Sequence, residues 1–118
     1  MDRLTLALLT FDVGVPAATP DAFADRVCAQ VREAWDDGAD LVVLPEFLWM
    51  GLEPFVPGED KLRGVAQLFW TDLWPRLAPR LAQADKGVVL GTVPFLGADG
   101  QLRNRAPIWD GVAFRHQD

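Results

Sequence analysis

The sequence predicts an α/β protein, and three features of its 118 residues indicate that class. Short apolar runs of strand length alternate with segments whose apolar residues recur every three or four positions. Half of the residues are apolar and about a quarter are charged, which is typical of a globular chain. The length fits one domain rather than two. The predicted order is β-α-β-α-β-β-β, in which strands joined by helices are expected to pair in parallel.

The first half of the chain contains two predicted strands around one helix. The apolar run Leu4–Phe11 predicts the first strand, and a loop over Val15–Thr19 follows. Thr19 is a suitable N-cap for a helix that begins at the next proline, and Gly38 is a suitable stop. The second strand is predicted at Leu41–Leu44. The buried face of the helix is expected to carry Phe23, Val27, Val31 and Trp35.

The second half begins with a loop rich in Pro and Gly that extends to about Lys61. Leu62–Ala84 has helical periodicity, but Pro75 and Pro79 predict two helical pieces or a kink near Trp74-Pro75. A turn at Asp110-Gly111 separates the last two strands. The three remaining strands are predicted at Val88–Phe95, Leu102–Trp109 and Val112–Gln117.

Composition and charge exclude several classes of protein. The net charge is −6 and no cluster of Lys and Arg occurs, which argues against nucleic-acid binding. No apolar run is long enough to span a bilayer and the first residues lack a secretion signal, so we expect a cytoplasmic protein that does not bind membranes. One cysteine and one histidine give no credible zinc site, and nothing in the sequence requires a cofactor.

The most informative segment is the apolar strand Leu41–Leu44, which runs directly into Pro45 and Glu46. Proline has no N–H for a sheet ladder, so the strand ends there, and ligands bind at such strand ends in α/β sheets. Desolvation of a glutamate at this position would raise its pKa toward the range of a general base. The alternative is a Glu46 that points into solvent or bonds to a nearby backbone N–H. Trp49, shortly after it, lines either a pocket or the core.

Few other side chains are candidates for chemistry. Cys28 lies within the first predicted helix beside its apolar face, where an inert core thiol is expected rather than a nucleophile. Asn104 has two open interpretations, a residue that bonds to local backbone or one that orders active-site loops. Lys61 and Lys86 are expected to be surface charges, and His116 a polar strand position.

Taken together, four segments of the chain resemble the amino-terminal part of the nitrilase superfamily, the carbon–nitrogen hydrolases. The segment around Glu46 is the most specific, and the resemblance covers nearly the whole chain. The segments that carry it are Glu33–Asp40, Leu41–Glu46, Val89–Pro94 and Asn104–Gly111. The fold that this resemblance implies is the amino-terminal part of an α-β-β-α sandwich.

The resemblance also implies a Glu-Lys-Cys catalytic triad in which Glu46 acts as general base. The lysine of the family comes shortly after the strand that here ends at Asp118, and the nucleophilic cysteine comes later still. Residues 1–118 are therefore expected to form a partial hydrolase domain that ends before its catalytic Lys and Cys. An intact enzyme would cleave a small amide, nitrile or carbamoyl compound through a Cys thioester, and this chain alone is expected to be inactive.

Two other functions are compatible with the sequence. The chain is either a noncatalytic α/β module that pairs with a complementing chain, or an unrelated α/β domain in which Leu44-Pro45-Glu46 occurs by chance. If the fragment interpretation is right, the sheet face meant for the missing half is exposed, and exposed apolar patches are partner sites. We therefore expect self-association or dependence on a complementing chain.

Overall fold

Six strands form one mixed sheet in the computed structural model, which describes residues 4–10 and 17–117. The strands are β1 (Leu6–Leu8), β2 (Leu41–Val43), β3 (Gly87–Val89), β4 (Val93–Leu96), β5 (Leu102–Trp109) and β6 (Phe114–Gln117). The predicted α/β class is confirmed, and the first strand is shorter than predicted. The predictions for Phe11, for residues 12–16 and for the chain end at Asp118 lie outside the described residues.

The pairing of the strands combines parallel and antiparallel ladders. β1, β2 and β3 are parallel neighbours, as expected for strands connected by helical crossovers. β3 then pairs antiparallel with the end of β5 that carries Ile108 and Trp109. The start of β5 pairs with β4, and β6 adds a further antiparallel strand to β5. The carboxyl ends of β1, β2 and β3 therefore lie together along one edge of the sheet.

One face of the sheet is buried under the helices. The ladder registers align Ala7, Val42, Val88, Trp109 and Phe114 in one row across five strands. Val42 and Val88 are fully buried and Trp109 is 8% exposed, in one cluster with the buried residues of the helices. Burial of apolar area on this side is the main source of stability for the fold.

The opposite face carries apolar side chains that the helices do not cover. Its central row is Leu8, Val43, Val89, Ile108 and Arg115. Leu4, Leu6 and Leu8 are 60%, 51% and 71% exposed. We call the surface formed by Leu4, Leu6, Leu8, Leu41, Val43, Val89 and Ile108 the open face. An apolar surface of this kind on a folded chain usually binds another polypeptide.

Helix α1 (Pro20–Asp36) has the predicted caps and the predicted buried face. The Ala22 N–H donates to the Thr19 hydroxyl oxygen at 3.0 Å, which satisfies one of the free donors at the helix start. Gly38 has a φ of +107° just past the helix end, a conformation that glycine adopts without a steric penalty. The predicted core residues Phe23, Val27, Val31 and Trp35 are all at most 2% exposed.

The predicted loop after Glu46 is wrong over Leu48–Phe55, which forms a 3₁₀ helix. The glycine and proline in this segment suggested a loop. The apolar spacing outweighs them, because side chains three apart lie on one face of a 3₁₀ helix. Trp49 and Leu52 have this spacing and are both fully buried.

The predicted helical segment with an interruption is confirmed, and the interruption is a π-helical turn. Helix α2 (Lys61–Gln67) continues through the π turn (Leu68–Leu73) into α3 (Trp74–Leu81). The Trp74 N–H donates to the carbonyl of Phe69, five residues back. The wider turn stands immediately before Pro75, whose ring would clash with the preceding turn of a regular α-helix. None of the described helices is long and apolar enough to cross a bilayer.

The predicted strand Val88–Phe95 is wrong as one continuous element, because the chain breaks between β3 and β4 at Gly91. Gly91 has a φ of +75°, and a Cβ built there would lie 2.4 Å from the Pro45 carbonyl oxygen. Glycine inside a strand commonly marks such a close approach of another backbone. The break directs β3 toward β2 while β4 stays paired with β5 alone.

Replacing Gly91 with alanine is expected to destabilise the protein more than the same change at Gly100. Both glycines have positive φ, which costs an alanine about 1–2 kcal/mol. Only Gly91 faces a backbone oxygen, whereas Gly100 has open space around it. Chemical denaturation should therefore give a loss of unfolding free energy that is larger for Gly91→Ala by about 1–3 kcal/mol. Equal losses would contradict the close packing against Pro45.

The last turn of the chain is organised by the carboxylate of Asp110. Its oxygens accept the N–H groups of Val112 and Ala113 at 2.9 and 2.8 Å, and Arg115 also donates to it. These bonds explain why β6 begins at Phe114 rather than at the predicted Val112. The Ala113 N–H, followed by Arg115, lowers the pKa of Asp110 from its ordinary 3.8 to about 2.

This pKa predicts how the turn responds to acid. A carboxyl group with a lowered pKa in the folded state stabilises the fold above its unfolded value of 3.8. That contribution is lost as the pH falls from about 4 to about 2. NMR titration of Asp110 should give the low pKa, and Arg115→Gln should raise it without changing the titration of Asp99, which pairs with Arg103. An unchanged pKa in the variant would contradict the role of Arg115.

Candidate functional site

Glu46 stands at the carboxyl end of β2, where the chain reverses direction. Leu44, directly after β2, is the last side chain before the turn to enter the core, at 3% exposure, and Leu48 is the next at 1%. The residues between them form the outside of a turn that is closed by the Leu48 N–H donating to the Pro45 carbonyl at 3.3 Å. We call Pro45–Phe47 the Glu46 turn.

The side chain of Glu46 is exposed, so the expectation of a desolvated carboxylate is not met. Within residues 4–10 and 17–117, it makes no hydrogen bond and no ion pair. It lines none of four surface cavities of about 350 to 670 Å³ in the described part of the chain. The physical reason is its place at the apex of the turn, where no described element packs over it. Among the described residues Glu46 is therefore a carboxylate without a partner, at the end of a strand.

The backbone of Phe47, directly after Glu46, is strained. Phe47 has a φ of +63° and a ψ of +9°, a left-handed conformation that costs a residue with a side chain about 1–2 kcal/mol. Glycine or asparagine is the usual residue at such a turn position. The phenyl ring is also 59% exposed, so burial in this chain does not offset the strain. Strained residues of this kind cluster at functional sites.

The buried side chain of Trp49 holds the Glu46 turn in place. Its indole N–H donates to the Leu90 carbonyl at 3.0 Å, and the side chain is fully buried. The indole also makes edge contacts with Phe23 and Phe69, at centroid distances of 5.8 and 4.8 Å. Of the two interpretations offered by the sequence, Trp49 is therefore a core residue and not a pocket wall.

The neighbouring strand end contributes two features that the sequence interpretation missed. The backbone of Gly91 lies against the Pro45 carbonyl. The hydroxyl oxygen of Thr92, the next residue, is buried and has no hydrogen-bond partner among the described residues. A buried polar atom without a partner is rare, and each instance needs an explanation. The glycine that interrupts the apolar run Val88–Phe95 was the available sequence signal for this contact.

Asn104 lies apart from the Glu46 turn along the sheet. It is an exposed residue of β5 whose partner in the ladder is Pro94 of β4. It belongs to the stretch of β5 that pairs with β4, whereas β3 pairs with the other end of β5. In the described chain it makes no side-chain hydrogen bond, so neither of the two interpretations of Asn104 is supported by a contact.

The other candidate side chains do not join Glu46. Cys28 is fully buried in α1, and burial raises the pKa of its thiol, which disfavours the reactive thiolate. The Lys61 and Lys86 ammonium groups donate to backbone carbonyls of Val56 and Ala39, at 2.5 and 3.3 Å. His116 of β6 is exposed, and its ring contacts the ring of Trp70.

The arrangement can therefore supply a base but no nucleophile. A free carboxylate can accept a proton from a group brought to it, and the strained turn fixes where that carboxylate stands. Covalent catalysis also needs a thiolate or alkoxide, and a cation or N–H donor for the developing negative charge. The described residues bring neither to Glu46. They also contain no group of three or more His, Cys, Asp or Glu side chains that could hold a metal ion.

Substituting Phe47 with glycine is expected to stabilise the protein by about 1 kcal/mol, because glycine tolerates positive φ and the exposed ring contributes little burial. Leu62→Gly is the control, since Leu62 is 51% exposed but lies in α2. There glycine should lower the free energy of unfolding by up to about 1 kcal/mol. Thermal and urea denaturation measure both changes. A loss of stability in Phe47→Gly would show that the turn is not strained.

Neither the protein-family models nor the curated proteins compared with this chain gave a match.

Proposed function

We propose that this chain is the amino-terminal part of a carbon–nitrogen hydrolase of the nitrilase superfamily, with Glu46 as its general base. The observation that carries the proposal is the strained Glu46 turn. It holds a carboxylate that has no partner among residues 4–10 and 17–117 at the carboxyl end of a parallel strand, which is where α/β sheets bind ligands. The substrate would be a small amide, nitrile or carbamoyl compound.

In the proposed reaction, Glu46 accepts the proton of a cysteine thiol as the sulfur attacks the carbon of the substrate. With an amide, a lysine stabilises the negative charge of the tetrahedral intermediate, the protonated Glu46 gives its proton to the departing ammonia or amine, and water then hydrolyses the thioester. With a nitrile, the attack gives a thioimidate, and water adds to it before ammonia leaves and the thioester forms. Cys28 is buried in α1, and the ammonium groups of Lys61 and Lys86 bond to the backbone carbonyls of Val56 and Ala39. The nucleophile and the lysine must therefore come from polypeptide other than residues 1–118.

Two features of the chain support its incompleteness. The hydroxyl of Thr92, next to the residue that contacts Pro45, is buried and lacks a partner in the described chain. The open face leaves three leucines at least half exposed on the sheet side opposite the helices. A second sheet packed on that face would give the α-β-β-α sandwich that the resemblance implies, with Glu46 at the rim between the layers.

The second candidate function is a noncatalytic module that pairs with a complementing chain. The exposure of Glu46 favours this alternative, because a general base normally works in a pocket that excludes water. The two candidates predict different coding sequences downstream of codon 118. A reading frame that continues through a lysine and later a cysteine favours the hydrolase, and an immediate stop codon favours the module.

The catalytic role predicts a large and specific effect of Glu46→Gln. The protein to assay is a polypeptide that contains this chain together with the lysine and the cysteine. In its Glu46→Gln variant the rate of ammonia release should fall by a factor on the order of 10³. Glu53→Gln is the matched control, because Glu53 is also exposed and loses the same charge. If the Glu46→Gln and Glu53→Gln variants had equal activity, Glu46 would not be the general base.

The 118 residues alone are expected to release no ammonia from a panel of amides and nitriles, because they bring no nucleophile to Glu46. Turnover by this chain that disappears in Glu46→Gln and persists in Glu53→Gln would contradict the proposed need for a cysteine from elsewhere. Mass spectrometry of the protein after incubation with substrate would detect an acyl group on Cys28, which the burial of that thiol argues against.

A further inference from the structure

The outer edge of β1 is open and lacks the usual protection against pairing. β1 pairs with β2 on one side, and no strand of the described chain lies on its other side. Unpaired edges attract other strands, and proteins commonly block them with proline or with charged side chains. β4 contains Pro94, and β6 contains the exposed Arg115 and His116. The strand Leu6–Leu8 has only apolar residues and no proline.

Alternate residues of β1 direct their backbone hydrogen-bonding groups toward this edge. The Thr5 carbonyl accepts an N–H of β2 at 3.2 Å, and the Leu9 N–H donates to a carbonyl of β2 at 3.0 Å. In a parallel ladder every second residue bonds to the same neighbouring strand, so Ala7 also bonds toward β2. The N–H and C=O groups of Leu6 and Leu8 therefore point outward, and no described residue bonds to them. An added strand is the structure that binds such a row.

A hollow between β1 and α1 has room for side chains of an added strand. Its volume is about 450 Å³, and it is lined by Thr5, Ala7 and Leu9 on the strand side and by residues that include Gln30 and Ala34 on the helix side. Ala7 is the smallest residue of its row across the sheet, so the row leaves space at this edge. A strand about 4.8 Å beyond β1 would direct every second side chain into the hollow.

The rim of this hollow is negatively charged. Glu33 and Asp37 line it, both are exposed, and neither forms an ion pair within residues 4–10 and 17–117. They lie at the carboxyl end of α1, which has no basic residue in its last turn. The helix dipole adds partial negative charge at this end, where a cation is favoured and carboxylates are not. Local choices that conflict with helix stability are expected at functional sites.

We propose that the outer edge of β1 binds an extended segment of another polypeptide in which Lys or Arg alternates with apolar residues. The backbone of the segment would bond to Leu6 and Leu8. Its basic side chains would enter the hollow and meet Glu33 and Asp37, and its apolar side chains would continue the leucine rows of the open face. The inference rests on the edge of β1 and the charges of α1, and it holds whether or not Glu46 is catalytic.

A second copy of this chain fits the edge less well. Two β1 strands that pair antiparallel would place both α1 helices on the same side of one continuous sheet. Glu33 and Asp37 of each copy would then approach those of the other, and like charges brought together oppose association. The strand Leu6–Leu8 also supplies no cation for the hollow.

The test uses three peptides that carry a fluorophore. The first alternates lysine and valine over seven residues, the second has glutamate in place of lysine, and the third has proline in place of the central valine. Fluorescence anisotropy with the chain at about 1 μM to 1 mM covers weak and moderate affinities. At low salt the lysine peptide should bind, and the other two should bind at least about tenfold more weakly, since one reverses the charge and the other interrupts the strand.

Two double variants of the chain test the charge complementarity. Glu33→Gln with Asp37→Asn removes both carboxylates of the hollow, and Glu53→Gln with Asp72→Asn removes two exposed carboxylates elsewhere. The first double variant should bind the lysine peptide about tenfold more weakly, and the second should bind it as the unchanged chain does. None of the four carboxylates pairs with a described residue, so both double variants should fold.

Amide hydrogen exchange measured by NMR locates the pairing. The lysine peptide should slow exchange of the Leu6 and Leu8 N–H groups and affect Ala7 much less, because Ala7 already bonds toward β2. The proposal is overturned by a lysine peptide that does not bind, by equal binding of the glutamate peptide, by equal effects of the two double variants, or by binding that leaves Leu6 and Leu8 unprotected. Slower exchange of these groups when the protein alone is concentrated would assign the edge to a second copy and would also overturn it.

Discussion

The indole of Trp49 connects three parts of the protein, and the position of Glu46 depends on it. Its N–H bonds to the carbonyl of Leu90 beside the break in the sheet, and its edges pack on Phe23 of α1 and Phe69 of the π turn. A buried indole whose donor is satisfied is costly to move, since any shift breaks both the packing and the hydrogen bond. The chain must therefore turn sharply between Leu44 and Leu48, and Phe47 takes a strained backbone conformation within that turn.

The same geometry explains why helices cover one face of the sheet and leave the other face uncovered. The helices meet one face of the sheet and supply its core, and the aromatic contacts of Trp49 lie on that side. The other face has comparable apolar rows without any cover from the described helices. The Glu46 turn lies at the edge where these two faces meet, at the carboxyl ends of the parallel strands. Whatever packs on the open face will therefore also change the surroundings of this carboxylate.

Sequence patterns predicted the parts of the fold that depend on local chemistry. The cap at Thr19, the buried stripe of α1 and the interruption before Pro75 follow from hydrogen-bonding capacity and periodicity. The 3₁₀ helix was missed because the prediction gave its glycine and proline more weight than its three-residue apolar spacing. The break at Gly91 was missed because it depends on a contact with Pro45, far away in the sequence. For the site, the sequence located Glu46 at a strand end. It did not predict the exposure of Glu46, because exposure depends on what packs above the turn. It also did not predict that Asn104 lies in the stretch of β5 that pairs with β4, apart from Glu46.

The tryptophans also give this protein a convenient optical property. Four of the five indole N–H groups donate to main-chain carbonyls, and three of those carbonyls belong to residues 87–94. The pairs are Trp35 with Gly87, Trp49 with Leu90, Trp70 with Pro94 and Trp109 with Gln83. Because the sequence has no tyrosine, tryptophan dominates the intrinsic fluorescence. Emission spectra therefore monitor the separation of these rings from the segment that spans β3 and β4, without any added dye.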